Sequence, residues 1–187
     1  QLDEANLQLG SERGEAPDAA GTGKRFSHML AIAPNASSSI IMGNTSPSIE
    51  PLRANAYRQD TLSGSSLNKN KWLDKIIREE STNHKEGWYE DVWSSIIAND
   101  GSVQHLEWLS DWNKDVFKTS MEIDQRWVIQ HAADRQQFID QAQSLNLFFR
   151  PDVNVKYLHA VHFQAWKQGL KTLYYCRSEK LAKADKV

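Results

Sequence analysis

The chain is 187 residues long, 40% hydrophobic and 25% charged, with a net charge of −2, enough for one core-forming domain. Its Lys and Arg residues are scattered, which argues against a nucleic-acid face, and no apolar run reaches the roughly 18 residues of a membrane helix. A single cysteine, Cys176, excludes an internal disulfide or a cysteine zinc site, and no charged-then-apolar leader opens the chain. The ends, Gln1 in place of methionine and Lys186-Val187, lead us to expect part of a longer protein.

Residues 1–26 are polar and glycine-dotted and read as a helix remnant followed by loop, a segment apart from residues 27–187. "HMLAIA" (28–33) is a short apolar run stopped by Pro34, the pattern of a buried strand. Asn35 and Ser37–Ser39 offer capping side chains to a helical turn through Ile40–Met42. Residues 44–57 read as a Pro- and Ser-rich loop and 61–65 as a turn.

Helical periodicity takes over from there. Trp72, Leu73, Ile76 and Ile77 form one stripe over 70–80, and Val92, Trp93, Ile96 and Ile97 another over 89–98, stopped by Asn99-Asp100-Gly101. A single long helix is predicted over 113–143, with Phe117, Met121, Trp127, Val128, Ala132 and Phe138 on its apolar side. "SLNLFF" (144–149) is strand-like, Pro151-Asp152 opens a helix through Trp166, and Gly169 stops it before a last strand, "LKTLYYC" (170–176). Strand, helix, strand is the grammar of a parallel α/β fold.

Several clusters have chemical and purely structural readings. "APNASSS" (33–39), a proline-ended strand before small hydroxyl residues, suits a phosphate at a helix N-terminus, or is a plain cap; it is no Walker loop. His159 and His162 share a helix face without a carboxylate one turn away, so a surface or core pair outweighs a metal site. "ADRQQFIDQAQSLN" (133–146) could line a site, but hydrogen bonds tying helix to strand are the simpler reading. The seven tryptophans read as core and interface, and Cys176 lacks a second thiol for dithiol chemistry. Adjacent Tyr174 and Tyr175 are either strand filling on opposite faces or two phenols used together.

"LAIAPNASSSIIMGNTSPSIEP", "NDGSVQ", "FIDQAQSLN" and "AWKQGLKTLYYCRS" resemble, in order and spacing over about residues 27–178, the C-terminal part of the large catalytic subunit of class I ribonucleotide reductase. The first stretch also resembles versions from large tailed bacteriophages. The resemblance implies an α/β fold, the C-terminal part of a ten-stranded barrel of two antiparallel five-stranded halves. It implies substrate-diphosphate contacts at Asn35, Ala36, Ser37, Ser38 and Ser39, and a radical relay through Tyr174 and Tyr175. Paired rings would then require the backbone near 174 to leave regular strand alternation.

The same resemblance implies no cofactor bound by this chain. A metal-tyrosyl radical cofactor would sit in a partner small subunit, and a thioredoxin- or glutaredoxin-type reductant would restore the active site. The family's thiyl-forming cysteine, active-site dithiol, catalytic Asn and Glu, and ATP/dNTP effector sites all lie N-terminal to the match, and its Cys-bearing tail lies beyond it. Implied partners are a ribonucleoside diphosphate, the small subunit, the N-terminal part of the large subunit and a second large subunit, in the cytoplasm (the host's, if phage-encoded). The different-class alternative is a non-catalytic helical interaction module that keeps the scaffold without the chemistry.

Overall fold

A computed structural model describes residues 1–42, 46, 48–61 and 64–178. Its elements are α1 (Leu2–Arg13), α2 (Ala36–Ile41), β1 (Ala56–Thr61), β2 (Gly64–Lys69), α3 (Lys71–Ser81), α4 (Trp88–Ala98), α5 (Asp111–Val116), α6 (Gln125–Gln136), β3 (Leu147–Phe149), α7 (Val155–Lys167) and β4 (Cys176–Ser178). A one-turn 3₁₀ helix spans Pro17–Ala19.

Two apolar cores organise these elements. The first gathers Leu73 and Ile77 of α3 and Val92, Trp93 and Ile96 of α4 with Val103, Leu106, Leu109 and Phe117. The predicted stripes are buried in part: Leu73 and Ile77 face the core with Ile76 packed against it while Trp72 is exposed, and Val92, Trp93 and Ile96 are buried while Ile97 is exposed. Asn70 caps α3 by accepting from the Trp72 and Leu73 amides, and α4 ends where Asp100 and Gly101 turn to positive φ. In the second core, Val128, Ile129 and Ala132 of α6 and Val161 and Ala165 of α7 cover Leu145, Leu147 and Phe149. This is the βαβ unit expected from sequence: β3 and β4 are parallel and joined by α7.

Four expectations need correction. The predicted helix over 113–143 is broken into α5 and α6. Glu122 accepts from the Thr119 amide and hydroxyl, the Ser120 amide donates to the Leu52 carbonyl, and Asp124 starts a new helix as its cap. These side-chain and long-range partners outbid a continuing helical ladder. Beyond α6, Asp140 does the same for a second segment: its carboxylate takes the Met29 and Leu30 amides at 2.7 and 2.9 Å.

The strand predicted over 28–33 shrinks to one parallel bridge, Ile32 to Gln143, because Asp140 occupies the preceding amides. The predicted strand 170–176 begins only at Cys176, and the helix expected from Pro151-Asp152 begins at Val155, capped by Asn154. Among the tryptophans only Trp93 is buried core; Trp72, Trp112, Trp127 and Trp166 are exposed on helix surfaces.

The hairpin of β1 and β2, antiparallel with Ala56 opposite Lys69, was not legible, since "AYRQDT" and "GSSLNK" lack apolar alternation. The turn predicted over 61–65 falls at its tip, with Leu62 and Ser63 outside the described residues. Gly43, Asn44, Thr45 and Pro47 of the predicted loop also lie outside them. At the other end, Asn6 of α1 both accepts from the Phe26 amide and donates to its carbonyl, folding 14–26 back along the helix.

Candidate functional site

The site is built around the segment 141–149. The Gln141 amide donates to the Leu30 carbonyl at 3.0 Å, and from Ala142 onward even and odd residues serve different edges, as parallel pairing requires. On one edge, the Ile32 amide donates to the Ala142 carbonyl at 3.3 Å and the Ser144 amide to the Ile32 carbonyl at 2.8 Å. On the other, the Tyr174 amide donates to the Leu145 carbonyl and the Leu147 amide to the Tyr175 carbonyl, both at 2.8 Å. Segment 141–149 is therefore the centre of three parallel stretches, with 30–32 and 174–178 at its sides.

The two edges differ in one respect. Ile32 makes both of its bonds itself, straddling Gln143. Opposite Asn146, Tyr174 supplies the amide and Tyr175 the carbonyl, so two residues occupy one ladder step. That is a β-bulge, an extra residue inserted into one strand. Leu147 pairs with Cys176 in register, which sets Tyr175 opposite Asn146 and on the same face of the sheet.

The bulge brings the Tyr174 ring beside it, with centroids 4.1 Å apart and planes at 54°. Departure from alternation was the expectation for paired rings; they are tilted rather than parallel. Both are about half exposed, Arg177 lies 5.2 Å over the Tyr175 ring, and Cys176 turns to the opposite face with Leu147. Hydrogen bonding with Tyr175, then its charge, raises the Tyr174 phenol above the ordinary tyrosine range, against a lowering by Arg177.

The Ser-rich turn leaves the other edge stretch. The Ser39 amide donates to the Asn35 carbonyl at 2.9 Å and the Met42 amide to the Ser38 carbonyl at 3.0 Å, forming α2. The first N–H groups of a helix have no partner within it, and here they belong to Ala36, Ser37 and Ser38. Ser37 and Ser38 are exposed, Ser39 is buried, and the Asn35 side-chain amide donates to the Ala33 carbonyl at 3.3 Å. The strand end carrying this turn and the tyrosine doublet stand about 10 Å apart, two strand spacings across the shared centre.

The segment 133–146 ties helix to sheet. Buried Gln143 donates to the Ala132 carbonyl at 2.8 Å and accepts from Arg135 at 3.3 Å, and Gln136 bonds the Ile139 and Gln141 carbonyls. His162 bonds its own helix at Leu158 and stacks on Phe149, while His159 stacks on Phe163. Among the described residues no three His, Cys, Asp or Glu side chains converge to hold a metal, and no helix is long and apolar enough to cross a membrane.

Sequence reasoning passed over two residues on this framework. Gln125 accepts from the Phe148 amide, capping the edge of the central stretch beyond Ile32. Buried Glu50 accepts from the Asn146 amide on the face that carries the doublet. The available signal was a lone carboxylate in "SIEPL", between apolar residues and a proline.

Residues 16–176 match the family model of the ribonucleotide reductase barrel domain. The chain belongs to that family. It is 60% identical over its whole length to the ribonucleoside-diphosphate reductase large subunit of Invertebrate iridescent virus 6, and covers 19% of that protein. It is 58% identical, again over its whole length, to the counterpart in Invertebrate iridescent virus 3, covering 29%. Both of these relatives come from iridescent viruses.

Among solved structures, the Actinobacillus ureae class Id ribonucleotide reductase alpha subunit superposes with a TM-score of 0.79 at 41% identity, over 94% of this chain and 31% of that one. The chain thus spans about a fifth to a third of the length of these reductase relatives. It is a portion of a reductase barrel domain, and no closed barrel forms among its described residues.

Proposed function

We propose that this chain serves as the C-terminal part of the catalytic barrel of a class I ribonucleoside-diphosphate reductase large subunit. In that role it holds the substrate diphosphate at Asn35–Ser39 and carries a radical through Tyr174 and Tyr175. The observation that carries the reading is the bulge, which sets two neighbouring phenols side by side where a regular strand would part them. Oxidising a phenol at neutral pH removes an electron from the ring and a proton from its O–H. Close rings shorten the electron step.

The turn suits the other half of the task. The helix N-terminus offers the amides of Ala36, Ser37 and Ser38, and the exposed hydroxyls of Ser37 and Ser38 add donors for a diphosphate. Buried Ser39 supports the turn from beneath. The initial oxidising cofactor, a metal-tyrosyl centre, belongs to a small subunit. The reductant of thioredoxin or glutaredoxin type, the ATP/dNTP effectors and a second large subunit engage other parts of the cytoplasmic enzyme.

The test is Tyr174→Phe and Tyr175→Phe, each in the large subunit containing this segment and assayed with its small subunit. Phenylalanine keeps the ring and removes the O–H, so folding should change by about 1 kcal/mol or less. Nucleotide reduction should nearly vanish in each variant. Full turnover in either variant removes that tyrosine from the relay.

A further inference from the structure

The residue opposite the bulge is Asn146, whose backbone faces the other edge of the central stretch. Its side chain is therefore the group of this residue that meets the doublet's face. Asn146 gives its Nδ2 to Oε1 of Glu50, and its Oδ1 is buried without a partner among the described residues. Glu50 is only 6% exposed, belongs to no ion pair among the described residues, and leaves its own Oε2 unpartnered. A buried carboxylate in that condition is costly, and such exceptions call for a reason.

Its backbone is held independently of the sheet. The Ser46 hydroxyl donates to the Glu50 carbonyl at 3.1 Å, the Glu50 amide donates to the Ser48 hydroxyl at 3.4 Å, and the Ser120 amide anchors Leu52 at 2.8 Å. The carboxylate is thus presented from a fixed loop. With its amide drawn to that loop, the Asn146 side chain has a set orientation on the face that carries the doublet.

We propose that Glu50 is a positioning residue: by fixing the Asn146 amide it holds the two-for-one ladder step that keeps the Tyr174 and Tyr175 rings on one face. Only its consequence for turnover rests on the relay reading above. If the bond is lost, the ladder can slip to the regular form in which Tyr175 makes both bonds, and Tyr174 then turns toward the α6–α7 side.

Ring-to-ring nuclear Overhauser effects between the two tyrosines, in the full chain with ring-labelled tyrosine, read this geometry directly. The native chain should give a strong cross-peak from rings 4.1 Å apart. Glu50→Ala should abolish it, and Glu50→Gln, which keeps an acceptor for Asn146, should restore it. In the large subunit, Glu50→Ala should lower kcat at least tenfold with KM for the diphosphate within twofold, and Glu50→Gln should recover most of the loss. A plain staple of loop to sheet would lower stability and leave the cross-peak intact.

A native-strength cross-peak in Glu50→Ala overturns the proposal, as does a cross-peak lost equally in Glu50→Gln. Should Glu50→Ala fail to fold, Asn146→Ser removes the same bond from the other side and must abolish the cross-peak. If both Tyr→Phe variants keep full turnover, the relay reading falls while the cross-peak still decides the role of Glu50.

Discussion

Gln125 is the single side chain on which the end of the central stretch depends most. It is 1% exposed, accepts from the Phe148 amide at 3.0 Å, and donates to the Ser120 and Ile123 carbonyls, both at 2.8 Å. Gln125→Ala removes all three bonds and strands one buried amide and two carbonyls. At a net worth of about 0.5–1.5 kcal/mol per bond, and more where the orphaned partner stays dry, the loss is about 3–4 kcal/mol. For a domain of this size that lowers Tm by roughly 6–16 °C.

Urea unfolding gives the free energy, and amide exchange at Phe148 localises it: that amide should exchange far faster in the variant, while those of α3 and α4 keep their protection. Lys167→Ala, exposed in the last turn of α7, is the control and should cost under about 0.5 kcal/mol. A loss below about 1 kcal/mol, or unchanged exchange at Phe148, would refute the reasoning, since it would mean that water replaces the glutamine.

Gly10→Ala should detach α1 from its return loop, because the new Cβ would sit 1.9 Å from the Gly23 carbonyl oxygen, a backbone atom; a rise of protease cleavage confined to residues 1–26 checks this. Asp124 caps α6 and accepts from the Tyr157 hydroxyl at 2.7 Å, and the Arg126 hydrogen bonds hold its carboxyl well below the usual carboxylate range. Its contribution is complete above the unfolded value of 3.8 and is lost as pH falls toward the depressed folded value. The stability gap between native and Asp124→Asn should accordingly be constant at neutral pH and shrink below about pH 4, which acid titration of urea midpoints would show. Ser37→Ala/Ser38→Ala should weaken diphosphate binding about tenfold to hundredfold per lost contact, measured by calorimetry on the large subunit; unchanged affinity returns the turn to a structural cap.

Much of this protein was legible because the deciding interactions are local. The stripes of α3 and α4 and the end signal of α4 lie within one or two turns of the residues they organise, so periodicity and the Asn99–Gly101 stop place both helices to within a residue or two. The Ser-rich turn and the tyrosine doublet are contiguous words, which is why family resemblance could find them. Tertiary structure decided what depends on partners far along the chain. The helix predicted over 113–143 breaks because Leu52 takes the Ser120 amide, and the strand over 28–33 is cut short because Asp140 takes its first amides.

The doublet shows the division most plainly. The letters Tyr-Tyr are compatible with rings on opposite faces or on one. The choice is made by the bonds to Leu145 and Leu147 around Asn146, whose side chain is tied to Glu50, 96 residues away. Sequence carries residue chemistry and local period; which backbone groups meet across the fold is settled only when distant amides and carbonyls compete for the same partners.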